Sequence, residues 1–360
     1  MSSVALAKLE GRAIEIVGVL LSPFQSGIRE SNPSSHLGKV MLDRSTNPAL
    51  LYSVYQKPIY TSIINFYYGI LFSMKTANLK TKIFLDSGDP NETREIIKFL
   101  GFLDGQTTNP TLISKNPKAK ARLEKGERFT KEEIFRFYKE VVKEISNLIP
   151  NDPVSIEVYS DKNTTSGEMI KQGIEMFYWI PNAHIKFPIT NEGLIAAQYA
   201  VKEKMRVNMT LCFSQEQAAA VYAATKGAKK GDVFVSPFIG RLDDRGKNGM
   251  NLIENIINMY SASDRHVEVL TASVRSMDHF LYAIKLGSDI ITAPFKLLKE
   301  WGEKGMPMPQ EDFAYNSASL KPILYKEIDL NKPWQEYNIA HELTDVGIEK
   351  FSSDWNALVK

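Results

Sequence analysis

Cysteine is nearly missing from this chain: of 360 residues, only Cys212 carries a thiol. One cysteine excludes an internal disulfide framework and any cysteine-rich zinc site, and it fits a reducing, cytoplasmic setting. Histidine is scarce as well, with five scattered residues that spell out no metal constellation. An excess of charge of either sign is also lacking. Forty-four basic residues face 42 acidic ones, a formal net charge of +2, which gives no electrostatic reason to expect nucleic acid or a membrane surface as a partner. Long apolar runs are wanting too. The run at 16–21 is too short for the core of a secretory signal and follows Glu10 and Glu15. The longest uncharged stretch, between Lys57 and Lys75, is broken by Thr61, Ser62, Asn65 and Ser73 and falls short of a spanning helix.

What is present is the composition of a folded chain, 43% hydrophobic and 24% charged, long enough for one large domain with extras or two ordinary ones. Residues 1–80 show no sustained period and carry turn signals such as Ser31-Asn32-Pro33-Ser34-Ser35. They read as an N-terminal extension without evident order, and a chain starting at Met74 is expected to fold and act. From Lys82 onward short apolar runs alternate with helical patterns. Strands are expected at 82–86, 105–109, 154–158, 183–187, 206–210, 232–236, 266–270 and 289–293. Two intervening helices open on capping boxes, Thr130 to Glu133 and Ser214 to Gln217. The first presents Ile134, Phe135, Tyr138, Val141, Val142 and Ile145 on one face. Residues 115–128, rich in Lys and Arg, read as a solvated loop. Eight strand–helix units predict an α/β fold, a (β/α)8 TIM-type barrel over 81–305, followed by a helical tail over 306–360. In that tail Ile348, Phe351, Trp355 and Leu358 share a helix face that must bury, as a lid on the barrel or, alternatively, against a second copy in a homo-oligomer.

Barrel enzymes work at the carboxyl ends of their strands. The polar residues expected there are Asp86, Thr108, Asn109, Glu157, Lys186, Asn208, Thr210 and Ser236, with Arg241, Ser273 and Arg275 on the loops beyond. In His184-Ile185-Lys186-Phe187-Pro188, strand alternation sends Ile185 and Phe187 one way and Lys186 the other. If the apolar pair faces the helices, the ammonium faces the barrel axis. Burial there favours the neutral, nucleophilic amine, and a nearby Glu157 opposes that shift. A strand-edge lysine reaching solvent is the other reading. Two guanidinium groups and a hydroxyl on late loops suit a phosphate. His184, one layer deeper, reads as a hydrogen-bonded core residue, and Cys212 as a buried thiol.

Seven segments occur together and in order: Leu85-Asp86-Ser87-Gly88-Asp89, Asp104-Gly105-Gln106-Thr107-Thr108-Asn109-Pro110, Ser155-Ile156-Glu157-Val158, Ile185-Lys186-Phe187-Pro188, Asn208-Met209-Thr210, Ser236-Pro237-Phe238-Ile239-Gly240-Arg241 and Ala272-Ser273-Val274-Arg275. This set resembles the transaldolase family from about residue 81 to the C-terminal helix. The resemblance implies a cofactor-free, metal-free Schiff-base enzyme that moves a dihydroxyacetone unit between sugar phosphates. It implies Lys186 as the Schiff-base lysine, Glu157 and Thr210 as the holders of a catalytic water, and Asp86 as the acid/base at the cleaved bond. Asn109, Asn208, Ser236 and Phe238 are implied as substrate-binding residues, and Arg241, Ser273 and Arg275 as the phosphate cradle.

Residues 1–80 lie outside the resemblance; the stretch at 43–50 echoes the segment from Asp104 only faintly. The loop after Arg241 and the tail after Gly305 also depart from the family's best-known members. Two rivals remain. The related fructose 6-phosphate aldolases share the fold and the lysine, but place a tyrosine where Phe238 stands and a glutamine where Glu157 stands. A non-catalytic sugar-phosphate-binding barrel would need the arginines but not Asp86, Glu157 and Lys186 together.

Overall fold

The computed structural model describes residues 78–360. The readings of the run at 16–21, the stretch before Lys75, the echo at 43–50 and the start at Met74 lie outside the described residues. Eight parallel strands close into a barrel in chain order: β1 (Lys82–Asp86), β2 (Gly105–Thr107), β3 (Val154–Glu157), β4 (Ala183–Pro188), β5 (Val207–Cys212), β6 (Val233–Pro237), β7 (Val267–Thr271) and β8 (Ile290–Ala293). β8 pairs back onto β1, so the sheet has no edge, and the (β/α)8 architecture read from the sequence is the one observed. The strands are short, and most of their residues are buried on both sides of the sheet, as expected of a parallel sheet covered by helices.

The helices are α1 (Pro90–Leu100), α2 (Pro110–Ser114), α3 (Pro117–Glu124), α4 (Lys131–Leu148), α5 (Ser166–Phe177), α6 (Asn191–Lys202), α7 (Gln215–Ala224), α8 (Ile239–Asp243), α9 (Gly249–Ser261), α10 (Met277–Leu286), α11 (Phe295–Glu303) and α12 (Glu342–Asn356). Their starts are written locally. Asp89 caps α1 ahead of Pro90, and Thr130 and Glu133 make the reciprocal box of α4. The face expected on α4 buries Ile134, Tyr138, Val141, Val142 and Ile145.

Three local expectations are corrected. Residues 115–128 are not simply a loop: Asn116 caps α3 and Pro117 occupies its first turn, the sequence signal of a helix start. The box at Ser214 is half made. Ser214 caps the Gln217 N–H, but Gln217 turns its own oxygen to the Phe213 N–H at 2.7 Å and its NH2 to Ile339 O and Thr344 Oγ1 at 3.0 and 2.8 Å. The strand expected at 105–109 stops at Thr107, and Asn109 instead caps α2.

Beneath the carboxyl ends of the strands, Phe84 meets Phe234 edge-on at 6.1 Å, and His184 stacks on Phe234 at 4.3 Å. His184 Nε2 reaches Gly231 O at 2.9 Å, and burial lowers its pKa to about 3, so it is a neutral core histidine. Cys212 is buried and its thiol is pushed up to about 12. The tail folds back: α12 packs against α2 and β5, burying Leu343, Ile348, Phe351 and Trp355. A register shift in β5 between Met209 and Cys212, with Leu211 at φ 61°, accompanies this contact, and Leu211 O accepts from Thr344 Oγ1 of α12 at 3.0 Å. Among the described residues no helix is long and apolar enough to cross a membrane.

Candidate active site

Register places the site. Lys186 on β4 lies between Glu157 on β3 and Asn208 on β5, and Asp86 on β1 lies beside Thr107 on β2. The outward pair behaves as alternation requires: a Cβ on Gly173 of α5 would meet the Phe187 ring at 2.9 Å and Ile185 at 3.3 Å. Lys186 therefore projects to the axis, and of its two sequence readings the buried one holds. Its ammonium sits 2.9 Å from Glu157 Oε2 and donates to Thr108 O at 3.2 Å. Glu157 Oε2 has this ion pair and no further hydrogen-bond partner. Burial raises the Glu157 pKa against the lowering pull of Lys186 and Arg241. Asp86 is raised the same way, with Lys186, the Thr107 hydroxyl at 2.7 Å and Lys115 pulling it down. Burial thus raises both carboxyls while the same amine pulls each of them down.

Asn208 and Ser236 form a chain behind the lysine. Ser236 Oγ donates to Asn208 Oδ1 at 2.6 Å, and Asn208 Nδ2 donates to Ser155 Oγ at 3.0 Å. Thr210 is fully buried and its hydroxyl has no protein partner. A buried hydroxyl so placed is left unsatisfied, the condition that a bound water relieves. Thr108 turns away: its hydroxyl bonds Tyr138 Oη at 2.6 Å and Ser155 O at 2.7 Å.

A cavity of about 230 Å³ opens over these groups, lined by Asp86, Asn109, Lys186, Ser236, Phe238, Arg241, Ser273 and Arg275 among others. Glu157, Asn208 and Thr210 lie behind its wall rather than in it. A larger hollow of about 620 Å³ lies at the opposite end of the barrel, where Lys82 pairs with Glu268 and Arg265 with Asp289.

The arginines are built in by backbone. Gly240 N donates to Ser273 O at 3.1 Å, and a Cβ on Gly240 would come within 2.6 Å of Arg275 Nε, so only glycine lets the two loops meet. Arg275 pairs with Asp244 at 2.6 Å. The Arg241 guanidinium lies between two rings, 5.2 Å from Phe238 and 5.3 Å from Phe351. Phe351 was expected to bury, but its place beside Arg241 was not legible in the sequence. Lys115, Thr107, Thr111, Thr292 and Lys350 also line the cavity without having been singled out. Thr107 stood inside a quoted segment and could have been found there; Lys350 depends on where α12 lands. Asp354 of α12 bonds both Thr111 and Lys350, latching α12 to α2.

Comparison with known proteins gives a consistent result. The sequence model of the Transaldolase/Fructose-6-phosphate aldolase family matches residues 83–360. A protein named probable transaldolase from Dehalococcoides mccartyi is 35% identical over 279 residues, 78% of this chain and 100% of the relative. Another of that name from Brucella ovis is 36% identical over 274 residues, 76% of this chain and 96% of the relative. A solved thiamine phosphate pyrophosphorylase from Pyrococcus furiosus aligns at 12% identity and a TM-score of 0.36, over 64% of this chain and 99% of that one, too distant to bear on function.

Proposed function

The chain belongs to the transaldolase/fructose-6-phosphate aldolase family, and on that premise we propose that it is a transaldolase. It moves a dihydroxyacetone unit from sedoheptulose 7-phosphate or fructose 6-phosphate to glyceraldehyde 3-phosphate or erythrose 4-phosphate, in the non-oxidative pentose phosphate pathway. The observation that carries this reading is the buried Lys186 ammonium beside Glu157, in a cavity also lined by Asp86 and by two arginines.

In the proposed reaction the Lys186 amine adds to the ketose carbonyl and loses water to give an iminium. Glu157 relays protons through a water held with the Thr210 hydroxyl, whose oxygen has no protein hydrogen-bond partner. The iminium draws electrons from the C3–C4 bond, and the Asp86 carboxylate takes the C4 hydroxyl proton as the aldehyde leaves. The three-carbon enamine stays on Lys186 until an acceptor aldose arrives and the steps reverse. Asn109, Asn208 and Ser236 hold the dihydroxyacetone hydroxyls; Arg241, Ser273 and Arg275 hold the phosphate. Transfer is favoured over simple aldol cleavage by Phe238, which offers no hydroxyl to protonate the enamine.

The test is a coupled assay with fructose 6-phosphate and erythrose 4-phosphate, joined to borohydride trapping. The trapped adduct should map to the peptide containing Lys186, and Lys186→Ala should fold and show no turnover. An adduct on another lysine, or faster release of free dihydroxyacetone than transfer, would sink the assignment.

A further inference from the structure

Behind the two arginines lies a polar cluster that the proposed chemistry does not use. Asp243, two residues after Arg241, accepts the Gly249 N–H on Oδ1 at 2.8 Å. Its Oδ2 accepts from Tyr315 Oη and lies 2.8 Å from His279 Nε2. If Nε2 carries the ring proton toward the carboxylate, Nδ1 is left as an acceptor, and it takes the Arg275 backbone N–H at 3.3 Å. Tyr315 Oη also lies 2.8 Å from His279 Nε2, so the tail tyrosine meets the imidazole both directly and through the carboxylate, and the imidazole reaches the backbone of Arg275. His279 is buried. Burial would raise the Asp243 pKa, but the hydrogen bonds from His279, Tyr315 and Gly249 bring it below the ordinary carboxylate value. Tyr315 is itself held. Its ring lies 5.8 Å from Tyr282, and Lys285 Nζ donates to the carbonyls of Glu311 and Phe313, each at 2.6 Å.

We propose that Tyr315, Asp243 and His279 are positioning residues for the phosphate end of the substrate. The tyrosine and the Gly249 N–H fix the carboxylate, the carboxylate and the tyrosine hydroxyl together fix the tautomer and tilt of the imidazole, and Nδ1 fixes the backbone from which Ser273 and Arg275 reach the cavity. This inference rests on the reading of Arg241, Ser273 and Arg275 as the phosphate site. None of the three positioning residues touches substrate, so their effect is on phosphate recognition and not on the carbon chemistry.

The experiment uses the full chain and two readouts. Inorganic phosphate is titrated calorimetrically, and turnover is measured for fructose 6-phosphate and for unphosphorylated fructose, with D-erythrose as acceptor in both. Tyr315→Phe, which deletes one hydroxyl, and His279→Gln, which removes the Nδ1 acceptor, should each weaken phosphate binding and raise the KM for fructose 6-phosphate about tenfold, the loss of one hydrogen bond to a charged group. Turnover of fructose should change less than about twofold. His279→Asn, whose amide oxygen lies near the place of Nδ1, should lose less than His279→Gln. Unchanged phosphate affinity in Tyr315→Phe and His279→Gln, equal losses on the two sugars, or the reverse order of Asn and Gln would overturn the proposal. If the unmodified chain binds phosphate but turns over neither sugar, the transaldolase reading falls, and the phosphate titrations still decide the positioning role.

Discussion

Gly347 of α12 lies against the Arg241 guanidinium, and adding one methyl there should separate function from stability. In Gly347→Ala the new Cβ would lie 2.7 Å from Arg241 Nη1 and 2.6 Å from Leu211 Cδ2, against a comfortable separation of about 3.5 Å. Both atoms are side-chain ends, so neither backbone has to move. Leu211 has the less room to yield, being fully buried at the irregular part of β5 with φ 61°. The guanidinium therefore takes up a shift of about 0.8 Å. For the fold, crowding of this size costs about 1 kcal/mol, and alanine in place of a helical glycine returns about the same amount. For recognition, each hydrogen bond from a charged donor is worth roughly 1.5–3 kcal/mol, so misplacing Arg241 should raise the KM for fructose 6-phosphate about tenfold or more. The assay is the KM for fructose 6-phosphate and for fructose beside a thermal melt. The expected result is a KM rise confined to the phosphorylated sugar with Tm changed by no more than a few degrees. Equal effects on both sugars, or a lowered Tm with unchanged KM, would refute the argument that α12 sets the position of Arg241.

Three further outcomes are expected. Thr210→Val deletes a buried hydroxyl that has no protein partner, so Tm should hold or rise while kcat falls about a hundredfold; an unchanged kcat would show that the hydroxyl serves no proton transfer. Asp86 has its folded pKa raised above 3.8, chiefly by burial, so the native state binds its proton more tightly than the unfolded chain. That contribution to stability is present below pH 3.8 and is lost as pH rises through the raised value. Asp86→Asn should therefore be inactive yet more stable than the parent at pH 7–8, with the advantage vanishing near pH 4 in paired denaturant titrations; a pH-independent difference would contradict the assigned burial effect. Phe238→Tyr places a hydroxyl beside the proposed enamine and should gain release of free dihydroxyacetone at the expense of transfer, read by the ratio of the two products.

The barrel was legible because its signals are local. Each strand is a short apolar run, and β1 begins and ends where the sequence placed it. Lys186 stood out because alternation in a six-residue strand leaves it opposite to Ile185 and Phe187. The errors came where a local pattern has two uses. The basic residues of 115–128 hid a helix whose start was written in Asn116-Pro117. Thr165 and Glu168 make a full box that the reading passed over, whereas Gln217 abandons its box for partners in the tail. Phe351 marks the deeper boundary. Helical spacing shows that it must be buried, but its position against Arg241 depends on where α12 crosses the barrel, and no periodicity within α12 contains that.

The latch through Asp354 has a consequence for biosynthesis. Thr111 belongs to the segment just after β2, while Asp354 and Phe351 belong to a helix made after all eight strands. Phe129 is joined in the same way to the far end, its N–H to Leu358 O at 2.8 Å and its carbonyl to the Lys360 N–H at 2.9 Å. Domains begin to fold while the ribosome is still adding residues. A nascent barrel can therefore close and hold Lys186 before α12 exists to complete the wall around it. Ribosome-bound chains that carry the eight strands but lack α12 would present Lys186 in a cavity still missing Lys350 and Phe351 from its wall.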